Sequence, residues 1–222
     1  MNRIELADWE EKFHEKVADA ANDDSAHDIE HVRRVVRTAE RLAIAEKARL
    51  DVVIPAAWLH DLVMVPKTSS ERALASRLSA RKACEFLQGV GYPGHLISDV
   101  GQAIEAHSFT ANIEPITLEA KIVQDADRLD ALGAIGIARA FATGGRLGQQ
   151  FYQPNDPFAR GRTLDDQKFT IDHFESKLFQ IARTLRTEAA RAEGQRRVTV
   201  MEAFLEELRR ELQIDSPPKA IS

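Results

Sequence analysis

Histidine and aspartate recur in three short segments of this 222-residue chain, in company that points to more than surface polarity. In Ser25-Ala26-His27-Asp28-Ile29-Glu30-His31 the serine opens an S-x-x-D capping box, with Asp28 as the acid, and a helix is expected to start at Ser25. His27 and His31 stand four residues apart, a spacing that a 3.6-residue turn brings to one face. The apolar stripe beginning at Val32 lies close to that face and directs His31 inward. Such a pair acts as metal ligands or is a surface cluster at a helix start. In Ala56-Ala57-Trp58-Leu59-His60-Asp61-Leu62 an adjacent His-Asp is embedded in apolar residues near a helix end. A buried carboxylate costs several kcal/mol unless it is paired or metal-bound. Asp61 therefore needs a cation, either a metal that His60 also ligates or an arginine in a buried ion pair. In Ile122-Val123-Gln124-Asp125-Ala126-Asp127-Arg128-Leu129-Asp130, Asp127 and Asp130 nearly share a helical face, whereas Asp125 and Asp127 do not. The apolar Ile-Val stretch carries a carboxylate toward the core. The alternative is a surface acidic patch partnered by Arg128, which suits Asp125 better than Asp127. Ile104-Glu105-Ala106-His107-Ser108-Phe109 adds one more histidine at an expected helix end.

Helical periodicity supplies the elements that must position these groups. Leu6, Trp9, Phe13 and Val17 form one apolar stripe, and Val32, Val35 or Val36, Ala39 and Leu42 form another. Phe174, Leu178, Ile181 and Leu185 repeat the spacing, followed by Val198, Met201, Leu205, Leu208 and Leu212. Further helices are expected over 51–63, 70–88, 94–107, 117–131 and 132–143. Alternating runs rich in Val, Ile, Thr and Tyr are scarce, so the chain reads as all-α. Turn chemistry breaks it at Gly89–Gly94 and at Glu114-Pro115, and the longest irregular stretch is about 146–167. The expected organisation is a single domain over 1–213, with a core at about 25–145, the long loop 146–167, C-terminal helices over 168–213 and a flexible tail at 214–222.

Composition limits the classes of function. With 30 Lys plus Arg against 35 Asp plus Glu the net charge is −5, which disfavours non-specific nucleic-acid binding. The single cysteine, Cys84, removes a disulfide framework and a thiolate zinc cage. The N-terminal segment is charged throughout, unlike a secretory signal, and no apolar run approaches the roughly 20 residues of a membrane span. A cytoplasmic protein is the expectation, with no membrane partner and no stable nucleic-acid partner. Lone Cys84 reads as a filler at the edge of the core.

In order along the chain, HDIEHVRRV at 27–35, AAWLHDLVMVPK at 56–67, AIEAHSFTA at 103–111, KIVQDADRLDALGAIGIAR at 121–139, DPFARGRTLDD at 156–166 and IDHFESKL at 171–178 resemble the HD-domain metal-dependent phosphohydrolases. The likeness is to the small stand-alone bacterial YedJ-type members and covers about residues 5–210. It implies an HD-domain/PDEase-like helical bundle with a divalent metal held by His31, His60, Asp61 and Asp127. Two imidazoles and two carboxylates suit Mn²⁺, Mg²⁺, Fe²⁺, Co²⁺ or Ni²⁺. In relatives with a second ion, extra histidines join and the HD aspartate bridges. Here His107 is the candidate, with His27 behind it, the alternative being that His107 binds substrate phosphate.

The resemblance implies hydrolysis of a phosphate ester or anhydride, with a nucleotide as a candidate substrate, by metal-activated water. Asp61, His107 and His27 are the expected catalytic residues. Lys67, six residues after Asp61, and Arg34, one turn beyond His31, are candidates for gripping phosphate. Lys177, with Asp172-His173, recurs in the family and points to the mouth of the site, the alternative being that the pair orders a helix against the loop. Phe158, Arg160 and Arg162 suit a stacked base or a phosphate tail. No GYP-containing segment follows the core, and Leu-Val-Met-Val-Pro after His60-Asp61 lacks the acidic pair of alarmone hydrolases. Two further readings share the scaffold: a metal-bearing nucleotide-binding or sensing module without turnover, and a di-iron oxygenase. Both a monomer and a homodimer are compatible with the sequence.

Overall fold

A computed structural model describes residues 3–22, 29–63, 74–108 and 111–213. Among them the chain is all-α, as expected, with one isolated bridge between Gln150 and Phe169. The helices are α1 (Arg3–Asn22), α2 (Ile29–Glu46), α3 (Leu50–Leu59), α4 (Ala75–Gly89), α5 (Gly94–Glu105), α6 (Leu118–Asp130), α7 (Gly133–Arg146), α8 (Phe179–Arg183) and α9 (Glu188–Glu211). The expected capping box at Ser25 lies outside the described residues.

The fold divides into two compact units. The first comprises residues up to Asp130 together with Leu185–Arg191. Its centre is α3, which is apolar nearly throughout, LDVVIPAAWL, and buries every residue from Val52 to Leu59. A helix apolar on all sides is stable in water only when other helices surround it. Here α1, α2, α5 and α6 pack around α3. The stripes read from the sequence face inward: Leu6, Phe13 and Val17 on α1, and Val32, Val35, Val36, Ala39 and Leu42 on α2 are buried. Pro55 lies inside α3 and has no N–H to give to the carbonyl of Asp51, four residues back. The Tyr92 hydroxyl donates to that carbonyl instead, at 2.7 Å. Trp58 Nε1–H donates to Glu10 at 3.2 Å and ties α3 to α1.

Of the helix ends that differ from the expected ranges, two matter for the site. The helix expected over 51–63 stops at Leu59, and that expected over 94–107 stops at Glu105. His60-Asp61 and His107 therefore occupy the turns that follow their helices.

The second unit comprises Ala131–Thr184 and the chain from Ala192 onward. Aromatic rings cluster in it, with buried Phe174 stacked on Phe204, Phe141 edge-on to Phe204, and exposed Phe151 edge-on to Phe141. Gly144 lets α7 approach residue 170 closely, since a Cβ there would stand 2.2 Å from Thr170 Oγ1. The expected continuous helix through Phe174, Leu178, Ile181 and Leu185 is interrupted. A π-helical turn spans Phe174–Leu178, α8 ends at Arg183, and Leu185 is buried outside the helix. The Thr184 hydroxyl bonds the Ile181 carbonyl and closes the last turn. Beyond it, residues 186 and 187 give their backbone N–H groups to Asp125, which no helical ladder would permit.

The segment 147–173, in which a long loop was expected, is fastened by its own polar groups. Asp172 is buried and accepts from Nη1 and Nη2 of Arg162, at 2.5 and 2.7 Å, and from the Asp165 N–H at 2.7 Å. Asp156 accepts the N–H groups of Arg160 and Gly161.

Candidate metal centre

Four helix ends of the first unit supply the site. His60 and Asp61 follow the C-terminus of α3, and His107 follows α5. His31 lies in the first turn of α2, and Asp127 and Asp130 lie in the last turn of α6. The C-terminal turn of a helix leaves carbonyls without intrahelical donors, and the two turn histidines use them. His60 Nδ1 lies 2.8 Å from the Ala57 carbonyl, and His107 Nδ1 lies 2.6 Å from the Ile104 carbonyl. A carbonyl only accepts, so each Nδ1 carries a proton, and a ring that is neutral presents its Nε2 lone pair. His31 Nδ1 lies 2.7 Å from Asp130 Oδ2.

The free nitrogens converge on two carboxylates. His31 Nε2 is 3.4 Å from Asp127 Oδ1, and His60 Nε2 is 4.0 Å from the same oxygen. His60 Nε2 is also 3.6 Å from Asp61 Oδ2, while His107 Nε2 is 3.5 Å from Asp61 Oδ1. The three rings stand edge to face, with centroids 5.6 Å apart for His31 and His60 and 5.0 Å for His60 and His107. Asp61 and Asp127 stay about one-third exposed, whereas His60 is fully buried. The site is therefore open on its carboxylate side.

Electrostatics follow the same geometry. Burial holds the His60 pKa below the ordinary imidazole value despite the pull of Asp61. Burial alone would raise the Asp61 carboxyl, but His60 and His107 hold it far below the usual range. Asp127 is lowered in the same way, with its burial outweighed by His31. At His107 burial acts downward, and the neighbouring Asp61 outweighs it and raises the ring. Both carboxylates are thus anionic, and the nitrogens around them are held at fixed orientations.

These donors fit a divalent ion. His60 Nε2 is buried with no hydrogen-bond partner among the described residues, a costly arrangement unless an electron-pair acceptor sits before it. Two groups of ligand atoms lie within 4.8 Å of one another: His31, His60 and Asp127, and His60, Asp61 and His107. Anchoring each ring through its other nitrogen is the outer-shell pattern that ligating histidines ordinarily have.

Of the residues singled out in the sequence, His31, His60, Asp61, Asp127 and His107 come together. His27 and Lys67 lie outside the described residues. Arg34 Nε donates to Asp130 Oδ1 at 2.7 Å and its Nη2 to Oδ2 at 3.1 Å, so its fork already engages a protein carboxylate. Lys177 is exposed in the second unit. Two other residues of that unit have internal partners: the Arg162 guanidinium lies over Phe169, and Arg209 lies over Phe158. His173 bonds Asp166 at 3.0 Å, which favours ordering of the segment.

Asp125 corrects the surface-patch alternative, because its side chain is wholly buried. It accepts Arg186 N–H, Thr187 N–H and the Thr187 hydroxyl, each at 2.8 Å. Spacing gives no sign of this link, because the partners lie about sixty residues away in sequence. The contact of Asp130 with His31 was equally hidden; its only signal was the i, i+3 relation to Asp127.

Comparison with known proteins agrees with this geometry. Residues 28–132 match the HD domain family. The protein YpgQ of Bacillus subtilis (strain 168) is 33% identical over 195 residues, spanning 86% of this chain and 87% of its own. The crystal structure of Bacillus subtilis YpgQ in complex with ADP superposes with a TM-score of 0.69 at 29% identity, covering 90% of this chain and 93% of that one. An HD-superfamily hydrolase from Bacillus thuringiensis gives a TM-score of 0.71 at 29% identity, over 93% and 99% of the two chains. Among the described residues no helix is long and apolar enough to cross a membrane. The chain belongs to the HD domain family and is an HD-superfamily metal-dependent hydrolase.

Proposed function

We propose that this protein hydrolyses a phosphate ester or anhydride of a nucleotide, with His31, His60, Asp61 and Asp127 holding the divalent ion. The observation that carries the reading is the buried, unpartnered Nε2 of His60 between two anionic carboxylates. When bound, a dication at this place supplies Lewis acidity, lowering the pKa of water and drawing charge from phosphoryl oxygens.

The chain's own residues then divide the work. Asp61 presents one oxygen toward His60 and the other toward His107, so it both ligates and orients the attacking water. His107 is the proton carrier: its Nε2 lies 3.5 Å from Asp61 Oδ1, and in its protonated form it would give that proton to the leaving oxygen. Water, its proton passed to solvent, attacks phosphorus while Asp61 holds it in place; the bond from phosphorus to the leaving oxygen breaks, and His107 protonates that oxygen. His27 stands in reserve as a second histidine, and Lys67 is the cation for the phosphate oxygens. The ADP complex of YpgQ favours a nucleotide over a simple phosphomonoester.

The test is a panel of nucleoside di- and triphosphates and phosphomonoesters, with Mn²⁺, Mg²⁺, Co²⁺ or Ni²⁺ added to chelator-treated protein. Release of phosphate or pyrophosphate that disappears in H31A and D61A supports the proposal. Metal uptake with no turnover across the panel would favour a sensing module. A bound iron pair that consumes oxygen would favour an oxygenase, which the second group, His60, Asp61 and His107, could serve.

A further inference from the structure

The three histidines of the site are anchored in two different ways. His60 and His107 each lean on a carbonyl three residues back in their own helix. His31, in the first turn of α2, is anchored differently. Its Nδ1 instead reaches across to α6 and the carboxylate of Asp130, 2.7 Å away. Asp130 is 3% exposed, and a carboxylate so deep requires compensation. Arg34 provides it, with Nε on Oδ1 and Nη2 on Oδ2. Each helix thus contributes a ligand and, three residues on, a supporting residue: His31 and Arg34 on α2, and Asp127 and Asp130 on α6, with Asp130 supporting the ligand of the other helix.

We propose that Asp130, clamped by Arg34, is the positioning residue of His31, holding its proton on Nδ1 and its Nε2 toward Asp127. The proposal rests on the metal reading above and adds the residues that make His31 a competent ligand. A carboxylate holds an N–H more firmly than a carbonyl does and raises the electron-donating strength of the opposite nitrogen. The guanidinium fork sets which oxygen faces His31, a role that the point charge of lysine cannot fill. An asparagine at 130 has one oxygen for two sets of donors. It must either release Arg34 or turn its NH₂ toward His31 Nδ1, which moves the imidazole proton to Nε2.

The experiment uses the full chain and Mn²⁺ alone, with free ion counted by electron paramagnetic resonance and folding followed by thermal denaturation of metal-free protein. D130N is expected to weaken Mn²⁺ binding about 10–100-fold, the usual range for loss of an outer-shell partner. R34M is expected to weaken it in the same direction, and R34K not to restore it. In an H31A background, which keeps the other donors, D130N is expected to add no further loss. Parental affinity in D130N, or the same loss with and without His31, would overturn the proposal. If D130N does not fold, R34M and R34K carry the same comparison. Failure of the parent protein to bind Mn²⁺ would sink the metal reading and this proposal together. Binding that D127A abolishes and D130N leaves intact would sink only this one.

Discussion

Asp125 and Asp127 lie two residues apart on α6, and their side chains have opposite tasks. A separation of about 200° around the helix sends one toward the histidines and the other toward Arg186 and Thr187. Removing Asp127 takes away a candidate ligand that His31 and His60 share. D127A is therefore expected to lose metal while its metal-free melting temperature stays near the parent's. Removing Asp125 leaves three donors without an acceptor, two of them backbone N–H groups, at about 1–3 kcal/mol for such a buried loss. D125A is expected to melt several degrees lower and to take up metal in the parental ratio; metal analysis beside a thermal scan checks both. The reverse pattern would exchange the roles of the two aspartates. At this scale the sequence showed which residues have site chemistry, because His-Asp among apolar neighbours needs a cation. It did not show what holds them, because the anchors are backbone carbonyls and a carboxylate 99 residues from His31.

Among the helices, α3 was legible as a buried rod and α2 as an amphipathic one, because periodicity and burial agree residue by residue. The ends of the helices were less so. Leu59-His60 and Glu105-Ala106 carry no glycine or proline to stop a helix, and the endings arise where the site draws each chain out of its ladder. The stop at Arg183 was hidden for a related reason: Leu185 continues the apolar spacing while distant Asp125 captures the two residues that follow. Pro55 is the converse case, a helix that continues through a proline because Tyr92 satisfies the carbonyl left open. Y92F is expected to cost about 1 kcal/mol of stability, the net worth of one hydrogen bond. In P55A the backbone N–H returns to Asp51, so the same substitution should cost less there. A double-mutant cycle by denaturant unfolding measures the difference, and equal costs in both backgrounds would refute the link.

Across the whole molecule, the net charge of −5 masks two uses of carboxylates, paired with arginines as at Glu193 and gathered at the site. Glu193 shows the paired kind: Arg196 first, then Arg197, hold its carboxyl at about 2, against an ordinary 4.5. A carboxyl lowered on folding adds stability above its unfolded pKa, and that stability fades as pH falls toward the folded value. With solvent screening the contribution is about 1 kcal/mol or less. E193Q should therefore melt below the parent at pH 7, with the gap closing between pH 4.5 and 2. At the site, by contrast, two carboxylates and three oriented imidazoles face one another, and a dication is the charge that completes them. A dication there would cancel the two carboxylates, so an anionic substrate would meet a neutralised centre on a negative protein. The most direct test is phosphate or pyrophosphate release from nucleoside triphosphates by chelator-treated protein, before and after Mn²⁺ is restored, in the parent, H31A and D61A. The expected result is turnover that appears only with the ion and only in the parent. Turnover that survives chelation, or that persists in both variants, would contradict the account.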